Sequence, residues 1–270
     1  MELPCVLAIG GLDPGGGAGV VADLRAIGAA GAFGAAVVAV STVQSTSGLR
    51  SARAIATSEL LAQAREVLRH QRVRATKIGA LGSEANVRAV SHLLARHPDV
   101  AAVVDTPMLP SRGRGRLLAS RAIGALRDRL LPRVTLVTVN AAEAGALAGE
   151  AIRTVGEAHD AARALVARFG ARAALVKGGH LDGEMATDVL ALGHEVVELR
   201  ARRIPGAGVH GTGCVLASLI AGRLALRKTD RVTSADLLDA VRWAKRVHHA
   251  SLSRAADVGG AARVMVFGAG

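Results

Sequence analysis

From end to end, short β-branched runs alternate with longer amphipathic segments, and that rhythm admits few folds: βαβ units around a largely parallel sheet. Strands are expected near Cys5–Ile9, Ala35–Val40, Ala75–Ile78, Val100–Val104, Thr135–Val139 and Ala173–Lys177. Asp188–Leu192 and Glu195–Arg200, separated by Gly193 and His194, read as a hairpin forming an antiparallel edge. Helices are expected over Ala18–Ala30, Glu59–Gln71, Glu84–Arg96, Ser120–Leu130, Ala141–Ala148, Val155–Arg168, Thr212–Leu226 and Ala235–Ala255. Ser58, Ser83 and Ser234 are the expected N-caps, and Thr154 with Glu157 has capping-box spacing. No linker interrupts the 270 residues, so 1–270 is read as one α/β domain.

The apolar fraction of 50% can bury a sizeable core, but aromatics are only 1%, so that core is built of Ala, Val and Leu. Lys and Arg outnumber the acids 34 to 22, a formal charge of +12. The arginines are dispersed apart from "SRGRGR" at 111–116, and almost no aromatic ring exists to stack on a base. An anionic small substrate therefore explains the charge better than nucleic acid does. Two cysteines, Cys5 and Cys214, fit a reducing, cytoplasmic setting. The longest uncharged apolar stretch, around Ile27–Val40, falls short of the roughly 20 residues of a membrane span. "MELPCVLAIGG" lacks a basic leader segment and reads as a first strand.

Open parallel sheets bind ligands beyond the carboxyl ends of their strands. Five post-strand loops carry chemistry. "GGLDPGGGAGVVADL" permits close backbone approach and opens a helix. Its Gly17, Gly19 and Ala22 satisfy a dinucleotide fingerprint, but they start too far past Ile9, and no acidic residue follows at the spacing a ribose needs. No phosphate-loop motif occurs. In "STVQSTSG", Gln44 could hydrogen-bond a heterocycle edge. In "VVDTPM", Asp105 leaves a buried strand, as an ion-pair partner, a cap or a metal ligand. In "VTVNAAEAGAL", Asn140 and Glu143 have near-capping-box spacing, which does not exclude a metal role for Glu143 beside Asp105. In "LVKGGH", Lys177 is a point charge for phosphate or a surface lysine.

"VHGTGCVLASLIAG" at 209–222 adds a glycine turn, free helix-start amides and Cys214 on the first helical turn. There a thiolate is favoured and the thiol pKa is expected to be lowered. Phosphoryl transfer to a hydroxyl would use such an anion cradle and a nearby base; a buried packing cysteine is the competing reading.

Taken in order, "GLDPGGGAG", "ADL", "TVQST", "KIGAL", "KGGH" and "HGTGC" resemble the motifs of the ribokinase superfamily, and within it the hydroxymethylpyrimidine/phosphomethylpyrimidine kinases of thiamine biosynthesis. The resemblance runs from about Val6 to Ala250. Its most specific part is the cysteine of H-G-T-G-C, where sugar kinases and most pyridoxal kinases carry aspartate. It implies a ribokinase-like three-layer α/β/α sandwich, usually a homodimer, that uses ATP and Mg²⁺ to phosphorylate the pyrimidine alcohol and then its monophosphate. By position it implies Cys214 as base, with the amides of Gly211, Thr212 and Gly213 as phosphate cradle. Asp105 and Glu143, with Asn140, would govern the metal; Lys177, Asn140 and His210 would face ATP. Gly11, Ala18, Asp23, Gln44 and Ala80 would form the pyrimidine pocket.

Departures cluster on the nucleotide side. "DTPMLPSRG" lacks the family's lysine and serine at Ser111 and Arg112, Val139 replaces a proline, and "GAGV" at 206–209 lacks polar side chains. A pyridoxal kinase, or a pyrimidine-binding protein without turnover, are the alternatives these departures leave open.

Overall fold

The computed structural model describes residues 2–105, 107–108, 113, 116–204, 208–229 and 231–268, and of His180 the backbone alone. Nine strands form one sheet: β1 (Cys5–Leu12), β2 (Phe33–Ser45), β3 (Gly48–Ala54), β4 (Val73–Ile78), β5 (Ala101–Asp105), β6 (Leu136–Asn140), β7 (Ala173–Lys177), β8 (Met185–Leu192) and β9 (Glu195–Arg202). A separate parallel pair joins β10 (Val209–His210) to β11 (Arg263–Val264). The helices are α1 (Gly19–Ala29), α2 (Thr57–His70), α3 (Glu84–Ala95), α4 (Ala122–Ala125), α5 (Ala141–Ala148), α6 (Val155–Ala167), α7 (Thr212–Ala225) and α8 (Ser234–Ser253).

The order is β3-β2-β1-β4-β5-β6-β7-β8-β9, parallel from β2 to β7. Chain direction across the sheet reverses between β1 and β4, which opens a crevice at their carboxyl ends. Period-two alternation sorts the strand residues between two cores. Leu7, Ile9, Ile78, Val104 and Val137 pack with α2, α3, α5 and α6 on one face. Val6, Ala8, Ala75, Val103 and Leu136 pack with α1, α7 and α8 on the other. The expected three-layer α/β/α sandwich is the architecture found. Among the described residues no helix is long and apolar enough to cross a membrane.

Both sheet edges are antiparallel, not one. The β8–β9 hairpin is where the sequence placed it. The second edge, β2–β3, turns "STVQSTSG" into strand, turn and strand, so Gln44 lies on β2 and not in a loop. Its strand "GLRSARA" is short and polar and carries no apolar alternation. The expected helix Ser120–Leu130 is also broken: α4 ends at Ala125, a π-turn runs over Leu126–Leu130 and a 3₁₀ turn over Leu131–Arg133 contains Pro132. Ser83 caps α3 by accepting from the Asn86 amide, and Thr154 with Glu157 closes the expected capping box. Ser58 and Ser234 are not caps. α2 begins two residues earlier than expected, at Thr57 after Ala56, and Thr233 caps α8 in a box with Asp236.

α1 and α7 run side by side in the same direction, because Gly211 meets Gly17 and Ala18 at one end and Gly222 meets Ile27 and Ala30 at the other. A Cβ on Gly222 would come within 2.5 Å of the Ala30 Cβ. Helix propensity alone favours alanine over glycine by about 1 kcal/mol, but this contact reverses the sign. Gly222→Ala is expected to lower stability by about 1–3 kcal/mol in urea unfolding.

Candidate active site

Several chains of contacts converge where β1 ends. Asp13 is 2% exposed; its carboxylate accepts from the Gly15 amide (2.9 Å), the Ala18 amide (2.9 Å) and His210 Nε2 (2.8 Å). Burial opposes its charge, but His210 and the two amides outweigh burial and hold the carboxyl below its usual range. The same His210 nitrogen lies 3.1 Å from the Gln44 amide. Gly11 and Ala80, from β1 and the segment after β4, face each other at the strand ends: a Cβ on Gly11 would be 3.6 Å from that of Ala80.

His210 leads directly into α7. Its N-cap, Gly211, has φ +77°, and a Cβ there would lie 2.0 Å from the Gly17 carbonyl oxygen, so only glycine fits this turn. Thr212, Gly213 and Cys214 form the first helical turn, with no side-chain cap and no acidic residue. Their amides have no intrahelical acceptor. The amide of Gly19, first residue of α1, is near enough to the Cys214 sulfur to favour its charged form. α1 also has no side-chain cap and no first-turn acid. The positive ends of two parallel helices therefore meet around one sulfur. His248 on α8 donates from Nε2 to the Thr212 carbonyl at 3.0 Å, and burial pushes its pKa down to about 4, keeping it neutral.

The expected lowering of the Cys214 pKa does not occur. Burial pushes the thiol up to about 11; Lys77 and the Gly19 amide pull the other way, while Asp23 and Asp105 add to the rise. Burial first, and then two carboxylates in the same enclosure, outweigh the positive helix ends on which the expectation relied.

Beneath the cysteine lies an ion pair with no exposed surface on either side chain. Lys77 Nζ is 2.9 Å and 2.8 Å from the two oxygens of Asp23, and Ser218 on α7 donates to the same carboxylate at 2.8 Å. Burial works against the ammonium, but Asp23 outweighs it and holds Lys77 above its usual range. Asp23 therefore joins α1, β4 and α7 from below. Both of its oxygens are engaged by Lys77 and Ser218 in this structure.

On the other flank, Asp105 at the end of β5 accepts from Thr138 (3.0 Å) and Lys177 Nζ (2.8 Å). Burial disfavours its charge, yet Lys177 and Lys77 hold the carboxyl below its usual range. Glu143 lies 4.0 Å from the same ammonium and closes a capping box with Asn140 at the start of α5. Burial pushes its carboxyl up to about 7, opposed by Lys177 and reinforced by the charge of Asp105. A Cβ on Gly213 would lie 3.0 Å from Lys177 Nζ and 3.4 Å from Asp105, so this cluster abuts the first turn of α7.

The fold thus gathers Gly11, Ala18, Ala80 and Gln44 on the β1–β2 side, the turn 211–214 in the centre, and Asp105, Asn140, Glu143 and Lys177 on the β5–β7 side. His210 is with the first group, in contact with Asp13 and Gln44. Four contributors escaped the sequence reading: Asp13, Lys77, Ser218 and His248. Asp13, Lys77 and Ser218 stood inside quoted stretches without being singled out; His248 sits mid-helix with nothing local to mark it. The departures at Ser111, Arg112 and Gly206 lie outside the described residues.

Comparison with known proteins shows the family. Residues 13–265 match the model of the phosphomethylpyrimidine kinase family. The hydroxymethylpyrimidine/phosphomethylpyrimidine kinase of Rhizobium meliloti (strain 1021) is 39% identical over 251 residues, covering 92% of this chain and 90% of that protein. The crystal structure of phosphomethylpyrimidine kinase from Clostridium difficile 630 superposes with a TM-score of 0.77 at 28% identity, covering 92% of this chain and 99% of that one. An ADP complex of Bacillus subtilis pyridoxal kinase gives 0.86 at 24% identity over 98% and 97% of the two chains, a likeness of fold alone. The chain belongs to the phosphomethylpyrimidine kinase family, the phosphotransferases that act on hydroxymethylpyrimidine and its phosphate in thiamine biosynthesis.

Proposed function

We propose that phosphoryl transfer takes place at the first turn of α7, with ATP as donor, the pyrimidine hydroxyl beside Cys214, and both phosphorylation steps run in the one cleft. The observation that carries this reading is the meeting of two helix starts without side-chain caps, where the Gly211 turn abuts Gly17 and Ala18 beside Cys214. The amides of Thr212, Gly213 and Cys214 would receive the equatorial oxygens of the moving phosphoryl group, where charge spreads in a loose transition state. Lys177, held by Asp105 and within 4.0 Å of Glu143, supplies fixed positive charge on the donor side. Cys214 takes the hydroxyl proton in its thiolate form, and the buried pair Lys77–Asp23 fixes the field around it.

Mg²⁺ belongs to this reading. Among the described residues no group of three or more His, Cys, Asp or Glu is arranged to hold a metal. Asp105 and Glu143 alone suit an ion that takes one or two carboxylates and completes its shell with phosphate oxygens and water. When bound, the ion would neutralise phosphate charge; the two carboxylates would hold it and Lys177 would share their charge. We further propose one catalytic domain over residues 1–270, working as a homodimer in the cytoplasm, on the strength of the family resemblance.

The test is turnover on hydroxymethylpyrimidine with ATP and Mg²⁺, resolving mono- and diphosphate, with pyridoxal in parallel. Diphosphate as end product, formed faster than any pyridoxal phosphate, is expected. Monophosphate alone would overturn the two-step reading, and faster use of pyridoxal would overturn the substrate assignment.

A further inference from the structure

We propose that His210 is a positioning residue for pyrimidine recognition: anchored by Asp13, it fixes which end of the Gln44 amide is offered to the ring. The proposal rests on Gln44 being a pyrimidine contact.

The argument is one of proton counting. His210 Nε2 is within hydrogen-bond reach of two groups, Asp13 Oδ2 at 2.8 Å and the end of the Gln44 side chain placed as Nε2 at 3.1 Å. Asp13 is almost fully enclosed and already accepts from the Gly15 and Ala18 amides. A carboxylate with that many donors is ionised, and it can pair with His210 only if Nε2 carries a hydrogen. This holds whether the imidazole is neutral or charged. An Nε2–H has no lone pair left to accept from Gln44. Two donors cannot face each other, so the Gln44 amide must be turned from the orientation placed, with its carbonyl next to His210 sharing the same hydrogen and its NH₂ left as a donor elsewhere. The O and N ends of a glutamine are alike in shape, so proton arrangement and not packing makes this choice. The ligand chemistry follows: a heteroaromatic ring edge with an acceptor nitrogen is favoured, and one with a donor at that position is refused.

The scaffold makes the histidine a fixed reference. Its ring packs on Gly17, where an added Cβ would lie 2.5 Å from His210 Cδ2. Its backbone is tied into β10, paired with Val264 of β11. Gln44 comes from β2, at a register shift in the β2–β3 ladder. Histidine, aspartate and glutamine thus come from three separate segments. None of the three is within the Asp105–Lys177–Glu143 cluster on the nucleotide side.

The test compares His210→Leu, His210→Asn and His210→Gln with Gln44→Leu in steady-state assays on hydroxymethylpyrimidine and on ATP. Leucine, and asparagine with its shorter reach, are expected to raise KM for the pyrimidine about 10- to 100-fold, with the loss concentrated in KM and not in kcat. KM for ATP stays within about threefold of the parent. His210→Gln, whose amide nitrogen stands where Nε2 stood, recovers most of the affinity. Combining His210→Leu with Gln44→Leu is expected to be no worse than Gln44→Leu alone, a non-additivity that a merely structural role would not produce. A rise in KM for ATP equal to that for the pyrimidine overturns the proposal, as does failure of glutamine to rescue. If Gln44→Leu raises the pyrimidine KM and the His210 variants do not, the proposal fails and the Gln44 contact stands. If Gln44→Leu leaves KM unchanged, the reading beneath the proposal fails with it.

Discussion

Lys77→Met is expected to lower the free energy of unfolding by about 3–5 kcal/mol, measured by urea denaturation, because it strands the Asp23 carboxylate where its side chain has no exposed surface. Ser218 alone cannot replace the ammonium, since one hydroxyl meets one oxygen. The discriminating variant is Lys77→Met with Asp23→Leu. Removing both charges is expected to recover most of the loss, since a buried pair contributes little net stability over an apolar replacement of similar volume. Activity should not recover in parallel. The double variant keeps the fold but strips the field around Cys214, where Lys77 favours the thiolate and Asp23 opposes it. Equal stability losses in the single and double variants would show that packing, not charge pairing, is what the site needs.

Cys214→Ala is expected to reduce kcat about 10²- to 10⁴-fold, the range for loss of a positioned proton acceptor, while binding of pyrimidine survives in calorimetry. The parent enzyme carries its own control in the pH profile. With the thiol pushed up to about 11, the thiolate is the minor form at neutral pH. Its fraction grows about tenfold per pH unit below the pKa, so log kcat/KM should climb with a slope near one between about pH 7.5 and 9.5. In Cys214→Ala the slope should vanish over that window. A flat parent profile would remove the cysteine from proton transfer, and full activity in the alanine variant would remove it from the chemistry altogether.

These two residues mark different degrees of legibility. Cys214 could be singled out because a glycine turn, a helix start and a lone thiol stand in six consecutive positions. Its protonation could not be read, since burial raises it and Asp23 and Asp105 add to the rise from α1 and β5. Lys77 stood in a noted motif, but nothing in "KIGAL" says that its side chain turns inward to Asp23, 54 residues earlier. Glu143 shows the converse: its capping box with Asn140 follows from a three-residue spacing, whereas the carboxyl at about 7 follows from Asp105 and from enclosure.

What the sequence determined by itself is what short-range physics governs. Apolar alternation set the strands and sorted their residues between two faces. Glycines with no steric alternative set the turn at Gly211, and Ser83, Asn140 and Thr154 set helix starts within four residues of themselves. Only the tertiary structure decided the pairings that span the chain: the β2–β3 edge that carries Gln44, the sealed Asp23–Lys77 pair, and the attachment of His210 to Asp13, 197 residues away. The reason is that charge and proton arrangement depend on which groups burial forces together. That is a property of where strands and helices pack, and no local window contains it.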